Sequence, residues 1–179
     1  MMKPGYSEIL RVIGDDLERR GLKAFDLQRR GERYILHCGY QSPPAVTPLV
    51  LEYGDTDIEE MRLAGIESRA ERPRNLDFST LTQLLRTIGT YLDQRRASLH
   101  KLTNNEFSGG DPVFRLDYET DEGEFLSEQR CTAELYDLGV RLYKKRSADG
   151  KTKSRFATGG RPPIPRSTRQ AASGERDGR

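Results

Sequence analysis

Residues 10–20 read LRVIGDDLERR, and residues 85–95 read LRTIGTYLDQR. The two stretches share six of eleven residues, including the glycine in the middle. Apolar residues recur in both at helical spacing, in the first copy at Ile9, Ile13 and Leu17. Each stretch therefore predicts an amphipathic helix with one buried face, and their similarity predicts an internal duplication.

The residues that follow each helix repeat the same order of patterns. Short runs with alternating apolar residues predict three strands per copy, at 23–30, 33–40 and 46–53 and then near 99–102, 114–118 and 123–132. A helical pattern closes each copy, at 58–69 and at 132–146. Two sequences have the form of capping boxes, Thr56 to Glu59 and Thr80 to Gln83, and predict helix starts.

These patterns predict an α+β protein built by tandem duplication of a helix-strand-strand-strand-helix unit with antiparallel sheets. The expected organisation is a first repeat at 1–70, a linker at 71–77 that contains a proline, a second repeat at 78–147 and a basic tail at 148–179. A small three-stranded sheet leaves an edge or a face unprotected. We therefore expect the repeats to pack as a pseudo-dimer within the chain, with edge-to-edge joining of the sheets as one arrangement. Further oligomerisation stays open.

Four glycines fall inside the predicted helices, as the matched pairs Gly14 with Gly89 and Gly65 with Gly139. A glycine in a helix interior costs about 1 kcal/mol relative to alanine. The expected reason is close approach of the helix backbone to another element, where a Cβ atom would clash. A phosphate-binding role would instead need glycines in a turn between a strand and a helix.

Charge divides the chain unevenly. Residues 144–179 carry eleven Lys and Arg against three Asp and Glu, a net of +8, whereas the rest of the chain carries nineteen against twenty-five, a net of −6. The basic segment has only two large apolar residues, Phe156 and Ile164. It cannot bury enough surface to offset the entropy of ordering, so it is predicted to be disordered from about Ala148.

Composition also bounds the compartment. No apolar run approaches the roughly eighteen residues of a membrane span, and the first residues lack the apolar core of a signal peptide. The expectation is a cytoplasmic protein. Cys38 and Cys131 are isolated cysteines and are expected to be small buried apolar residues rather than a disulfide or a metal site.

No sequence motif of a known catalytic or cofactor site is present, so no catalytic residue, cofactor or metal is predicted. The two histidines, His37 and His100, have no nucleophile or carboxylate at a suggestive spacing. The segment from Asp117 to Glu128 resembles a calcium loop in its acidic spacing, but Gly123 is one place late. An acidic hairpin is the expected structure there.

Clusters of cations are the candidate binding residues. Two arginine pairs end the matched helices, where they also complement the helix dipole, and a basic run begins the tail. The candidates for nucleic-acid or anion binding are Arg19, Arg20, Arg95, Arg96, Lys144, Lys145, Arg146, Lys151, Lys153 and Arg155.

Three functions follow as hypotheses. The first is a non-enzymatic binding or adaptor protein, whose duplicated body recognises a protein or nucleic-acid partner while the tail adds electrostatic attraction. The second is a nucleic-acid-associated protein that binds phosphates mainly through the tail. The third is an enzyme whose site forms between the repeats, from groups such as His37, His100, Asp15 or Asp55.

Overall fold

The computed structural model, described over residues 3–22, 24–42, 45–69, 77–105 and 112–157, contains four helices and one six-stranded antiparallel sheet. The predicted α+β class is confirmed. The helices are α1 (Tyr6–Arg19), α2 (Asp55–Arg69), α3 (Leu81–Arg95) and α4 (Thr132–Ala157). The strands are β1 (Phe25–Arg30), β2 (Arg33–Ser42), β3 (Ala45–Tyr53), β4 (Ser98–Asn105), β5 (Val113–Glu119) and β6 (Phe125–Cys131).

One sheet, rather than two, runs through the molecule in the order β3-β2-β1-β4-β5-β6. Residues 3–69 (the first half) supply three strands, residues 77–157 (the second half) supply the other three, and β1 pairs with β4 at the centre. The edge-to-edge joining is confirmed. Leu27 faces Leu102 in the central pair, and both side chains are fully buried. The offset between these two leucines in sequence number is the one that separates the two similar helix sequences (102 − 27 = 85 − 10).

All of the described helices that pack on the sheet cover the same face. Alternate strand residues such as Leu36, Leu116 and Tyr118 are buried with the apolar stripes of α1 and α3 in one core. Ile58 of α2 and Leu135 of α4 complete that core. Each fully buried leucine contributes about 1.5–3 kcal/mol, which explains why the predicted stripes determine the helix orientation.

Helices α1 and α3 cross so closely that their glycines are required. A Cβ atom on Gly89 would lie 2.3 Å from the carbonyl oxygen of Tyr6, and one on Gly14 would lie 2.9 Å from the Cα atom of Thr82. A Cβ atom on Gly139 would lie 2.8 Å from Oγ1 of Thr87. The predicted close approach is therefore confirmed at these three glycines.

The same two helices cap each other. Asp93, near the end of α3, accepts hydrogen bonds from the backbone N–H groups of Tyr6 (2.8 Å) and Ser7 (2.9 Å) at the start of α1. Glu18, near the end of α1, accepts from the N–H (3.2 Å) and the hydroxyl (2.6 Å) of Thr82 at the start of α3. Glu18 and Asp93 are related by the same offset as the two helix sequences (93 − 18 = 85 − 10).

Two predicted boundaries differ from the structure. At Thr80 only half of the predicted capping box is present: its hydroxyl accepts from Gln83 N–H (3.3 Å), but its own N–H donates to the carbonyl of Asp77 (3.4 Å). The one predicted at Thr56 is wrong, because α2 begins at Asp55 and Asp57 accepts from the N–H of Gly54 (2.8 Å). At the other end of the chain, α4 continues past the predicted boundary at 147 as far as Ala157.

By their contacts the residues group into two units, Met1–Lys145 and Arg146–Arg179. All elements except the end of α4 belong to the first unit. The predicted linker lies outside the described residues apart from Asp77, and so does the predicted tail after Ala157. Across the described ranges, no helix combines the length and the apolar character needed to cross a membrane.

Candidate functional site

The side of the sheet opposite the helices forms a broad surface, which we call the open face. Within the described residues no helix packs on it, and its side chains are those that alternate with the core positions. One row of neighbouring side chains crosses all six strands: Val50, His37, Asp26, Thr103, Arg115 and Gln129. At about 4.8 Å between strands and about 3.3 Å per residue, the face measures roughly 24 Å by 20 Å.

Charges on the open face are largely paired. Lys101 contacts Asp26 (2.8 Å), and Arg115 contacts Asp117 (3.4 Å). Two apolar side chains stand exposed at its outer strands, Val50 at 58% and Phe125 at 61%. The face is therefore neither basic nor acidic, with paired charges on its inner strands and an exposed apolar side chain on each outer strand.

The two arginine pairs predicted to bind anions lie at opposite ends of the α1–α3 helix pair, so the structure does not bring them together. Arg20 donates to Asp16 (2.9 Å), which also lies 3.5 Å from Arg19. Arg95 lies over the ring of Tyr91, 4.4 Å from its centroid. A helix of this length spans roughly 20 Å, so a single phosphate cannot contact both arginine pairs.

Arg96 has a left-handed backbone at φ 53°. Its counterpart in the first half, Gly21 (96 − 75 = 21), has φ 68° and is better suited to this conformation.

The basic residues of α4 in the first unit, Lys144 and Lys145, are exposed. Arg146 is exposed as well, and Lys151, Lys153 and Arg155 follow on the same helix. Anion binding by these residues stays a prediction.

Each half contains a hydrogen bond between a tyrosine and a carboxylate that ties its first helix to its third strand. In the first half, Tyr53 of β3 donates to Asp16 of α1 (2.8 Å). In the second, Tyr91 of α3 donates to Glu128 of β6 (3.0 Å). Asp16 and Tyr91 are related by the same offset as the two helix sequences (91 − 16 = 85 − 10); the carboxylate lies on the helix in the first half and on the strand in the second.

The second of these clusters is the larger. Tyr118 also donates to Glu128 (2.7 Å), and Arg130 lies 3.0 Å from the same carboxylate. Burial, together with hydrogen bonds to Glu128 and Tyr91, raises the pKa of Tyr118. Burial alone would raise the pKa of Glu128, but the hydrogen bonds from Tyr118, Arg130 and Tyr91 outweigh it and lower this pKa. The carboxylate of Glu128 therefore stays ionised at neutral pH with its donors in place.

The groups named for an enzyme between the halves do not converge. His37 lies on the open face beside Asp26. His100 lies two strands away from His37, at roughly 14 Å by strand geometry, and contacts Glu119 (3.1 Å). Asp15 lies on α1 and pairs with Arg19 (3.4 Å), on the helix side of the sheet. Asp55 begins α2 on that side.

The acidic hairpin is confirmed as a hairpin rather than a calcium loop. Asp117 accepts from Ser127 (2.5 Å) on the open face, whereas Glu128 points toward the helices and bonds to Tyr118. Gly123 forms the turn with φ 83°. Across the described ranges, no three or more His, Cys, Asp or Glu side chains are grouped so that they could hold a metal ion.

The cysteines are free thiols. Cys38 is buried as predicted, and this burial raises its pKa. Cys131 is only partly buried, because it lies at the end of the edge strand β6.

A cavity of about 310 Å³ lies between the end of α1, the start of α3 and the sheet of the second half. Its lining includes Glu18, Leu81, Asn104, Phe114 and Thr132. Sequence reasoning missed both this cavity and the tyrosine–carboxylate clusters. The sequence did contain a signal for the cavity. When the two halves are aligned at an offset of 75, Leu81 matches Tyr6 and Asn104 matches Arg29, so the second half has the smaller residue at both positions.

Comparison with known proteins gives no matching family model, no matching curated protein and no matching solved structure.

Proposed function

We propose that this is a non-enzymatic binding protein that docks a partner protein on the open face of its sheet. The observation that carries the proposal is the open face itself, a continuous surface bordered by exposed Val50 and Phe125. Its flat projection of roughly 480 Å² is more than half of the 800 Å² or so that a standard interface buries on each partner. Paired charges favour a protein surface over a polyphosphate.

We also propose that the body arose by duplication of a helix-strand-strand-strand-helix unit. The support is one recurring offset of 75 in sequence number, which relates the helix sequences, the crossing glycines Gly14 and Gly89, the capping carboxylates and the central leucine pair. Under this proposal the first repeat spans 1–70 and the second 78–147. Its consequence is an open face twice as wide as one repeat could supply.

The experiment is site-specific photo-cross-linking in the native host, with the photoreactive residue at Gln129 on the open face. The matched control places it at Leu63 on α2, an apolar residue that is 51% exposed on the helix side. We expect one discrete cross-linked partner at Gln129 only, lost when Val50→Glu and Phe125→Glu are introduced. Equal cross-linking at Leu63, or a monomer that captures nothing at low salt, would contradict the proposal.

A second candidate function is nucleic-acid binding through the basic residues, favoured by the exposed Lys144, Lys145 and Arg146 on α4. Each phosphate contact should contribute about 0.9 to the slope of log affinity against log salt. We expect Lys144→Gln with Lys145→Gln to reduce this slope by roughly two, and deletion of residues 148–179 to reduce it further. A flat salt dependence in the full chain removes this candidate.

A further inference from the structure

The cavity of the second half opens to solvent, because Glu18, Gly21 and Ser79 on its rim are exposed. Its deeper wall is apolar and includes Phe114, which is 1% exposed. A volume of about 310 Å³ is at the lower end of the range for small-ligand pockets. The space is therefore large enough for a small group with one polar end at the rim.

At the matching positions of the first half, two larger side chains contact each other. Tyr6 matches Leu81 and Arg29 matches Asn104 (81 − 75 = 6 and 104 − 75 = 29). The guanidinium of Arg29 lies 5.7 Å from the ring centroid of Tyr6 and donates to its hydroxyl (2.5 Å). The hydroxyl also accepts from the N–H of Leu99 (3.2 Å).

We propose that the cavity binds a guanidinium or amidinium group carried on an apolar stem. Two of its lining residues, Leu81 and Asn104, are smaller than the Tyr6 and Arg29 at the matching positions, so the cavity has room for a guanidinium group, and Phe114 contributes an aromatic ring to its wall for cation–π contact. Glu18 supplies a carboxylate at the rim for the positive charge. The same chemistry could come from a free small molecule or from an arginine of a partner protein.

An anion is the wrong ligand for this place although α3 begins there. The carboxylate of Glu18 already accepts from Thr82 N–H, and the hydroxyl of Thr80 accepts from Gln83 N–H. These two amides of the first turn are therefore taken, and an arriving anion would meet the charge of Glu18 instead. The cavity lies on the helix side of the sheet, so the proposal does not depend on docking at the open face.

The test is a titration of the full chain with benzamidine, followed by the amide signals in ¹H–¹⁵N spectra. Benzamide, a neutral molecule of the same shape, is the matched control ligand. We expect benzamidine to shift the signals of Gly21, Ser79 and Thr132 and to bind at least tenfold more tightly than benzamide. Equal binding of the two ligands, or shifts confined to other residues, overturns the proposal.

Two variants test the geometry. Leu81→Tyr with Asn104→Arg rebuilds the side chains of the first half, and we expect it to weaken benzamidine binding at least tenfold. Glu18→Gln keeps an acceptor for Thr82 N–H but removes the charge, and it should lower benzamidine affinity to that of benzamide. Wild-type affinity in Glu18→Gln overturns the proposal, even where the double variant fails to fold.

The source of the ligand is decided with N-acetylarginine methylamide, which carries the arginine side chain between peptide bonds. Tighter binding of this compound than of benzamidine indicates an arginine of a partner protein. Binding of benzamidine alone indicates a free amidinium or guanidinium compound. Binding of neither overturns the proposal.

Discussion

Replacing Gly89 by alanine tests the contact that fixes the two central helices. The new methyl group would lie 2.3 Å from the oxygen and 2.4 Å from the carbon of the Tyr6 carbonyl. Ordinary contact needs about 1 Å more, and the obstacle is backbone, which cannot rotate away. The start of α1 must therefore move as a unit, away from the carboxylate of Asp93 that caps it.

The expected change in the free energy of unfolding is the sum of three contributions. Overpacking of a tight contact costs about 1–3 kcal/mol, and weakening the two hydrogen bonds to Asp93 costs roughly 1 kcal/mol each. Alanine regains about 1 kcal/mol of helix propensity over glycine. We expect Gly89→Ala to lower the free energy of unfolding by about 2–4 kcal/mol and to lower the Tm by on the order of 10 °C.

Guanidinium unfolding measures this effect, and two further variants serve as controls. Gly14→Ala should cost less than Gly89→Ala, since its nearest backbone contact is 2.9 Å. Gly139→Ala should change stability by no more than about 1 kcal/mol, because the atoms it meets belong to side chains, Thr87 and Phe78, that can rotate. A Gly89→Ala protein as stable as the wild type would refute the close crossing of α1 and α3.

Five other variants probe the same framework. Asp93→Ala removes the cap of α1 and should cost about 0.5–2 kcal/mol in denaturant unfolding. Arg96→Gly relieves a left-handed backbone and should raise stability by about 1 kcal/mol, measured in the same way. Leu27→Ala and Leu102→Ala should each cost about 2–5 kcal/mol and should agree closely, because the two leucines face each other; unequal costs would argue against equivalent halves. The fold keeps the hydroxyl of Tyr118 protonated, so its pKa is raised, and the stability that this hydroxyl contributes is lost as the pH rises past the ordinary tyrosine pKa of about 10. Tyr118→Phe should therefore be about 1 kcal/mol less stable than the wild type at pH 7. Between about pH 9 and 11 the variant should lose less stability than the wild type.

Much of the fold could be predicted because its strongest signals are local. The apolar stripes of α1 and α3 and the alternation around Leu36 and Leu116 are set by helix and strand periods, which a sequence displays directly. The glycines carried a long-range signal as well, since their cost inside a helix demands a nearby backbone. The start of α2 was missed because Asp57, rather than Glu59, provides the return hydrogen bond.

The functional surfaces could not be predicted in the same way, because they depend on which strands become neighbours. The row of side chains from Val50 to Gln129 draws on all six strands and therefore requires the strand order. The arginine pairs remain candidates for anion binding, and two of their contacts are local: Arg20 with Asp16 and Arg95 with Tyr91 are each four residues apart on a predicted helix.

Positions where the halves agree and positions where they differ have separate physical roles. Leu27 and Leu102 face each other, and Gly14 and Gly89 each lie against the other half, so a change at any of them alters a contact that both halves share. Tyr6 and Leu81 are related by the same offset but differ in size: the hydroxyl of Tyr6 contacts Arg29 and the N–H of Leu99, whereas Leu81 lines an open cavity. If the halves derive from one unit, as we propose, a new binding site could arise at such places at little cost to the fold. The cavity beside Glu18 lies at one of them.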